Sequence, residues 1–207
     1  MTVCWNCGQQ LGATAGESLN CPQCHALQPP PENYFDLLGL PHTLSLDTQA
    51  LQDRFYELTR KLHPDRFTRK SEREKQYSLD ASSILNDAYR ILRDPVKRAE
   101  YFLKQKGFDI GEQRSKDVPP ELLEEVFELN MALEEMRGGD DSARAPLELA
   151  STNFTQMLTG IDKQLEAQFA AYDEEQNPAV LAQIRGKLNR RKYIQNLVNE
   201  VAGTLAA

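Results

Sequence analysis

The chain has 207 residues, enough for one medium domain or two or three small ones. Charged residues make up 27% and hydrophobic ones 40%, and the formal net charge of −7 argues against a nucleic-acid partner held by phosphate contacts. No apolar run approaches the roughly 20 residues needed to cross a bilayer, and no secretory signal pattern follows Met1, so the expectation is a cytoplasmic protein without a membrane partner, or a mitochondrial matrix protein if an upstream targeting segment was removed.

All four cysteines lie before residue 25. They form two C-x-x-C pairs, Cys4 with Cys7 and Cys21 with Cys24, separated by 13 residues. Each pair presents two thiolates along one edge of a metal, and two pairs complete a tetrahedron. Gly8 allows a tight turn behind the first pair, and Pro22 stiffens the second. A structural zinc is the expected ligand, with iron in the same cage or two redox dithiols as the alternatives. A zinc bound here contributes on the order of 10 kcal/mol or more, so residues 1–28 need no large core. Four protein ligands leave no open position, so no catalysis is expected at the metal. His25, beside Cys24, reads as a bystander.

The proline-rich stretch at 28–33 is a stiff linker. Beyond it the pattern is helical throughout. Helices are expected near 34–39, 47–62, 71–92, 95–106, 119–137, 141–173 and 178–203. Ser71 with Glu74 fits a capping box. Asn177 before Pro178 fits an N-cap before a proline at the first helical position. Gly138 and Gly139 suit a helix stop, and "GFDIGEQRSKDVPP" reads as a turn-rich connection.

Leu51, Phe55, Leu58 and Leu62 form one apolar stripe. Tyr77, Ala81, Ile84, Leu85, Ala88, Ile91 and Leu92 form a matching one, so the two helices should pair as an antiparallel hairpin. His63-Pro64-Asp65 falls at its tip. Taken alone, this tripeptide is a helix stop, since proline ends the helix and aspartate caps the loop. Its surroundings add a second reading. Residues 52–76 hold eight Lys or Arg and five Asp or Glu, a net of +3 in a chain of net −7. A basic helix face running into an exposed polar tip suits docking to an acidic partner. No Ser or Cys nucleophile lies near His63 in sequence, so a hydrolytic triad is not supported.

The runs "YFDLLGL", "RFYELTRKLHPDRF" and "ASSILNDAYRILRDPVKRAEYFL" resemble a J domain from end to end. Together with Arg98-Ala99-Glu100-Tyr101-Phe102-Leu103 they resemble the iron–sulfur co-chaperone family HscB, in its zinc-bearing, four-cysteine form. The resemblance implies a co-chaperone, not an enzyme. It implies that His63, Pro64 and Asp65 trigger ATP hydrolysis in a DnaK/HscA-type chaperone, with Arg54, Arg60 and Lys61 as docking charges.

On the helix near 119–137, Leu122, Val126, Leu129, Leu133 and Met136 form one narrow seam. Leu123, Phe127 and Met131 form a second row, roughly 140° away. That row either packs against the rest of the chain or stays exposed for a partner. The family resemblance implies docking of an IscU-type scaffold on this face, with Leu123, Phe127 and Glu128 matching in character. Glu124 and Met131 share the face but depart from the pattern, where an apolar residue and a glutamate are usual. Ile161 is expected as a further apolar contact from the next helix. Residues 117–178 carry 15 acidic and 3 basic residues, so this region is acidic where the hairpin is basic.

The expected architecture is all-α: a zinc module over 1–28, a J domain over 34–107 and a C-terminal three-helix bundle over 117–207, in an L-shaped arrangement. Self-association through the zinc module stays open.

Overall fold

The computed structural model describes residues 3–11, 19–108 and 122–206. Residues 109–120 of the expected connection, the bundle's expected start at 117 and residues 12–18 between the cysteine pairs lie outside the described residues. Among those described there are seven α-helices and no strands, with only two isolated β-bridges, Val3 to Gln10 and Asn20 to Leu27. The chain divides into two compact units, Met1–Tyr101 and Phe102–Ala207. No described helix is long and apolar enough to cross a membrane.

In the first unit, α1 (Tyr34–Leu38) starts at Asn33, whose side chain accepts from the N–H groups of Phe35 and Asp36. Gly39 ends it in the left-handed region at φ 63°, which favours glycine. Helix α2 (Thr48–Leu62) is capped by Asp47, which accepts from Gln49 and Ala50. Helix α3 (Glu72–Leu92) opens on the expected Ser71–Glu74 capping box. The two run antiparallel: Leu62 meets Ser82 at one end, while Phe55 stacks on Tyr89 nearer the other, with ring centroids 4.2 Å apart. Leu51, Leu58 and Leu62 bury against Ala81, Leu85, Ala88 and Leu92. Each leucine contributes about 1.5–3 kcal/mol by leaving water.

Helix α4 (Pro95–Gln105) is capped by Asp94, which accepts from Val96 and Lys97. It brings a buried arginine into the first unit. Arg98 donates from Nε to the Leu44 carbonyl at 2.8 Å and from its NH1 to Leu92 O at 2.6 Å. Leu92 is the last residue of α3, whose carbonyls lack helical donors. One guanidinium therefore ties the end of α3 to the loop before α2.

The second unit holds α5 (Leu123–Arg137), α6 (Arg144–Glu175) and α7 (Pro178–Ala206). Its core is the stripe Leu147, Phe154, Leu158, Ile161, Leu165, Phe169 and Tyr172 of α6. Against it lie Leu181, Ile184, Leu188, Ile194, Leu197 and Val201 of α7, with Leu129, Ala132 and Leu133 of α5. Gln176 ends α6 at φ 51°, donating its N–H to the Tyr172 carbonyl. Asn177 then caps α7, accepting from Ala179 at 2.9 Å. Arg191 of α7 grips Asp162 of α6 with two bonds of 2.6 and 3.2 Å. The expected seam on α5 holds for Leu122, Leu129 and Leu133, whereas Val126 and Met136 are half-buried and Ala132 joins the core. Helix α7 runs past Gly203 to Ala206, since a glycine without a competing cap costs only about 1 kcal/mol.

Arg98→Ala removes both of these bonds from a buried site. It is expected to lower unfolding stability by about 2–4 kcal/mol, read by urea titration of Trp5 fluorescence. A loss below about 0.5 kcal/mol would contradict the role given to Arg98.

Candidate functional site

Pro64 has no N–H, so α2 stops at Leu62. The chain turns at once into a 3-10 turn, Pro64–Phe67, anchored by the buried Phe67. His63 organises this turn. Its Nδ1 accepts from the Asp65 N–H at 3.3 Å, and its carbonyl accepts from the Arg66 N–H at 2.9 Å. An accepting Nδ1 leaves the proton of the neutral ring on Nε2. The Asp65 carboxylate lies 3.5 Å from the ring and its side chain is 86% exposed. The tip therefore presents a carboxylate and a fixed imidazole to solvent.

The expected docking cations differ in what they touch. Arg54 donates to the Leu38 carbonyl at 2.8 Å and to Glu57 at 2.7 Å, which ties α2 to the end of α1. Lys61 reaches the same carboxylate at 2.6 Å. These two bonds, Lys61 first and then Arg54, push the Glu57 carboxyl down to about 2. Arg60 stands exposed one turn beyond Tyr56, an exposed aromatic on the same face that the apolar stripe did not single out.

On α5 the second apolar row is exposed. Phe127 is 65% exposed, and Leu123 and Met131 about half. Glu124 and Glu128 are exposed beside them, and Leu149 of α6 adds another exposed apolar side chain. Ile161 does not belong to this face. It is 7% exposed and lies in the bundle core, because it continues the Phe154–Leu158–Leu165 stripe of α6 at helical spacing. That periodicity was available in the sequence.

The four cysteine sulfurs all lie within 4.8 Å of one another. The Cys4–Cys24 and Cys7–Cys21 separations are 3.6 and 3.7 Å. A tetrahedral metal with bonds near 2.3 Å sets its sulfurs about 3.8 Å apart, so the cage fits such an ion. The two loops repeat one another. The N–H groups of Gly8 and His25 donate to the carbonyls of Cys4 and Cys21, and both residues have positive φ, 75° and 59°. His25 is thus the turn residue of the second loop and is not among the metal-ligating cluster. Burial works against a thiolate at Cys4, yet the Cys7 and Asn6 N–H groups bring its thiol down to about 6. At Cys7 the Gln9 N–H pulls downward, but burial and the three other sulfurs push the thiol up to about 12. Four adjacent thiols ionise together only around a cation.

The cysteine loops clamp onto α3. Trp5 donates from Nε1 to the Leu27 carbonyl at 2.7 Å, packs edge-on against Tyr77 and lies under the Arg73 guanidinium. The Leu27 N–H donates to Glu74 Oε1 at 3.4 Å. The other oxygen of Glu74 accepts from the Ser71 N–H and hydroxyl. Burial raises the Glu74 carboxyl, but the bonds from Ser71 and Leu27, with Lys70 nearby, outweigh it and hold it low. A helix cap is also a bridge to the cysteine block.

Three family models match the chain. The DnaJ domain covers residues 33–101, the co-chaperone HscB tetracysteine metal binding motif covers 3–28, and the HSCB C-terminal oligomerisation domain covers 118–202. The co-chaperone protein HscB homolog of Vibrio vulnificus strain YJ016 is 36% identical over 170 residues, covering 82% of this chain and 94% of its own. The human iron-sulfur cluster co-chaperone protein HscB is 39% identical over 134 residues, 64% of this chain and 57% of its own. The crystal structure of human co-chaperone protein HscB matches with a TM-score of 0.76 at 28% identity, over 97% of each chain. Chaperone HscB from Vibrio cholerae matches with a TM-score of 0.65 at 32% identity, over 84% of this chain and 98% of its own. The tetracysteine motif, the DnaJ domain and the C-terminal domain are each matched in chain order, and the chain belongs to the HscB family of J-domain co-chaperones.

Proposed function

We propose that the chain docks an IscU-type iron–sulfur scaffold on α5 and presents it to a DnaK/HscA-type ATPase, whose hydrolysis it stimulates through His63-Pro64-Asp65. The observation that carries this reading is that one chain exposes both a His-Pro-Asp tip and an uncovered apolar helix row. Asp65 offers an exposed carboxylate for a charge-assisted bond to an arginine of the ATPase. Pro64 fixes the loop's exit, and His63 holds the Asp65 backbone in place. Docking charge comes from Arg60 and Lys61, with Tyr56 adding aromatic area. Arg54 serves the site by fastening α2 to α1. The ATPase chemistry belongs to the partner.

For the scaffold, Leu123, Phe127 and Met131 supply an apolar strip flanked by Glu124 and Glu128. An exposed aromatic at the centre of such a strip is the expected anchor of an interface. The four cysteines hold a structural zinc, as four thiolates in a closed tetrahedron suit that ion best. Iron–sulfur assembly sets the place of action in the bacterial cytoplasm or the mitochondrial matrix.

Steady-state hydrolysis by the ATPase tests the reading. The wild-type chain stimulates it and the scaffold raises the rate further, whereas His63→Gln abolishes stimulation without lowering Tm. Stimulation indifferent to the scaffold would remove the scaffold from the reading. No stimulation at all would leave the loop a helix stop.

Metal analysis should find about one zinc per chain. Removing it with a chelator, or by Cys21→Ser, releases the Trp5 clamp, shifts tryptophan emission to longer wavelength and lowers Tm by several degrees. Unchanged emission on metal loss would contradict the coupling between cage and α3.

A further inference from the structure

The carbonyl of Leu62 is the last of α2 and sits immediately before His63. In a continued helix it would accept from the Arg66 N–H, but that N–H is taken by the His63 carbonyl at 2.9 Å. Two hydroxyls from α3 replace it. Ser78 Oγ donates to Leu62 O at 2.6 Å and Ser82 Oγ at 3.3 Å. Ser78 is fully buried and Ser82 half-buried. Their spacing of four residues places both on one face of α3.

A serine inside a helix commonly bonds back to the carbonyl four residues earlier in its own helix. Neither serine does so here. Both cross to the neighbouring helix and meet at one acceptor. The peptide group that carries the Leu62 carbonyl ends in the His63 N–H, so the orientation of that plane sets the direction in which His63 leaves the helix. His63 then carries both bonds that shape the tip, its imidazole Nδ1 accepting from the Asp65 N–H and its carbonyl from the Arg66 N–H.

We infer that Ser78 and Ser82 are positioning residues for the His-Pro-Asp trigger, acting through the Leu62–His63 peptide plane. They touch no partner and add nothing to docking. Their role is to keep His63 and Asp65 in the one geometry that an ATPase meets, so they bear on the maximal stimulation and not on the affinity. This inference rests on the ATPase-stimulating role proposed above.

The test uses the full chain with Ser78→Ala, Ser82→Ala and the double variant. Stimulation of the ATPase is measured against co-chaperone concentration, beside amide resonances of His63 and Asp65 by NMR and Tm. Loss of the hydroxyls from one buried carbonyl is expected to lower maximal stimulation about fivefold in the double variant. The half-saturating concentration should stay within about twofold, since Arg60, Lys61 and Tyr56 are untouched. The His63 and Asp65 amides shift, while the bundle resonances stay in place. Unchanged maximal stimulation, a change confined to half-saturation, or unmoved His63 and Asp65 amides would each overturn the inference. If the wild-type chain stimulates no ATPase, the proposed stimulating role falls. The anchoring of the loop is then decided by the amide shifts alone: movement supports it and its absence overturns it.

Discussion

The structure around the trigger follows from one missing hydrogen. Pro64 has no amide N–H, so α2 cannot extend past Leu62 and the carbonyls of its last turn need other donors. Arg60's carbonyl takes the Arg66 guanidinium at 3.4 Å, and Leu62's takes two serine hydroxyls from α3. The residues that satisfy those groups also fix the loop. A helix end becomes a rigid tip because its unsatisfied backbone is paired by side chains on a neighbouring, well-packed helix.

Helix α3 is the common support. Its first turn caps itself through Glu74 and binds the cysteine loops through the same carboxylate. Its second and third turns hold the end of α2, and its last carbonyl is held by Arg98. The cysteine block has little apolar area of its own, so its order depends on the metal cage and on Trp5 against α3. Charge is divided along the chain as well. The hairpin around 52–76 is net positive, and the region 117–178 is strongly acidic. Under the proposed function, this division lets two partners of different surface chemistry be kept apart without any specific contact.

Much of this was legible in the sequence, and the parts that were share a cause. The cysteine pairs, the capping box at Ser71, the Asn177–Pro178 helix start and the apolar stripes are local patterns, set by residues a few positions apart. The exposed row of Leu123, Phe127 and Met131 was visible as an extra stripe, but whether it was covered depended on the fold. What sequence did not reveal were pairings between distant residues. That Arg54 also ties α2 to the Leu38 carbonyl is visible only in the fold. Glu74 reads as a cap until Leu27 arrives beside it, and Ser78 and Ser82 read as neutral helix residues until Leu62 does. His25 looked incidental because its positive φ becomes visible only when the second loop is laid beside the first. Ile161 was a misjudged register, since its own stripe already pointed to the core.

The central claim is that one chain serves two partners through separate surfaces at once. Sedimentation of a labelled IscU-type scaffold with this chain and a hydrolysis-deficient, ATP-bound DnaK/HscA-type chaperone tests it most directly. A single species containing all three proteins is predicted. Phe127→Ala should weaken scaffold entry by about 30-fold or more, as loss of a central aromatic anchor costs about 2 kcal/mol. The same variant should leave the pair of chain and chaperone intact. Mutual exclusion of scaffold and chaperone, or scaffold entry indifferent to Phe127→Ala, would contradict the account.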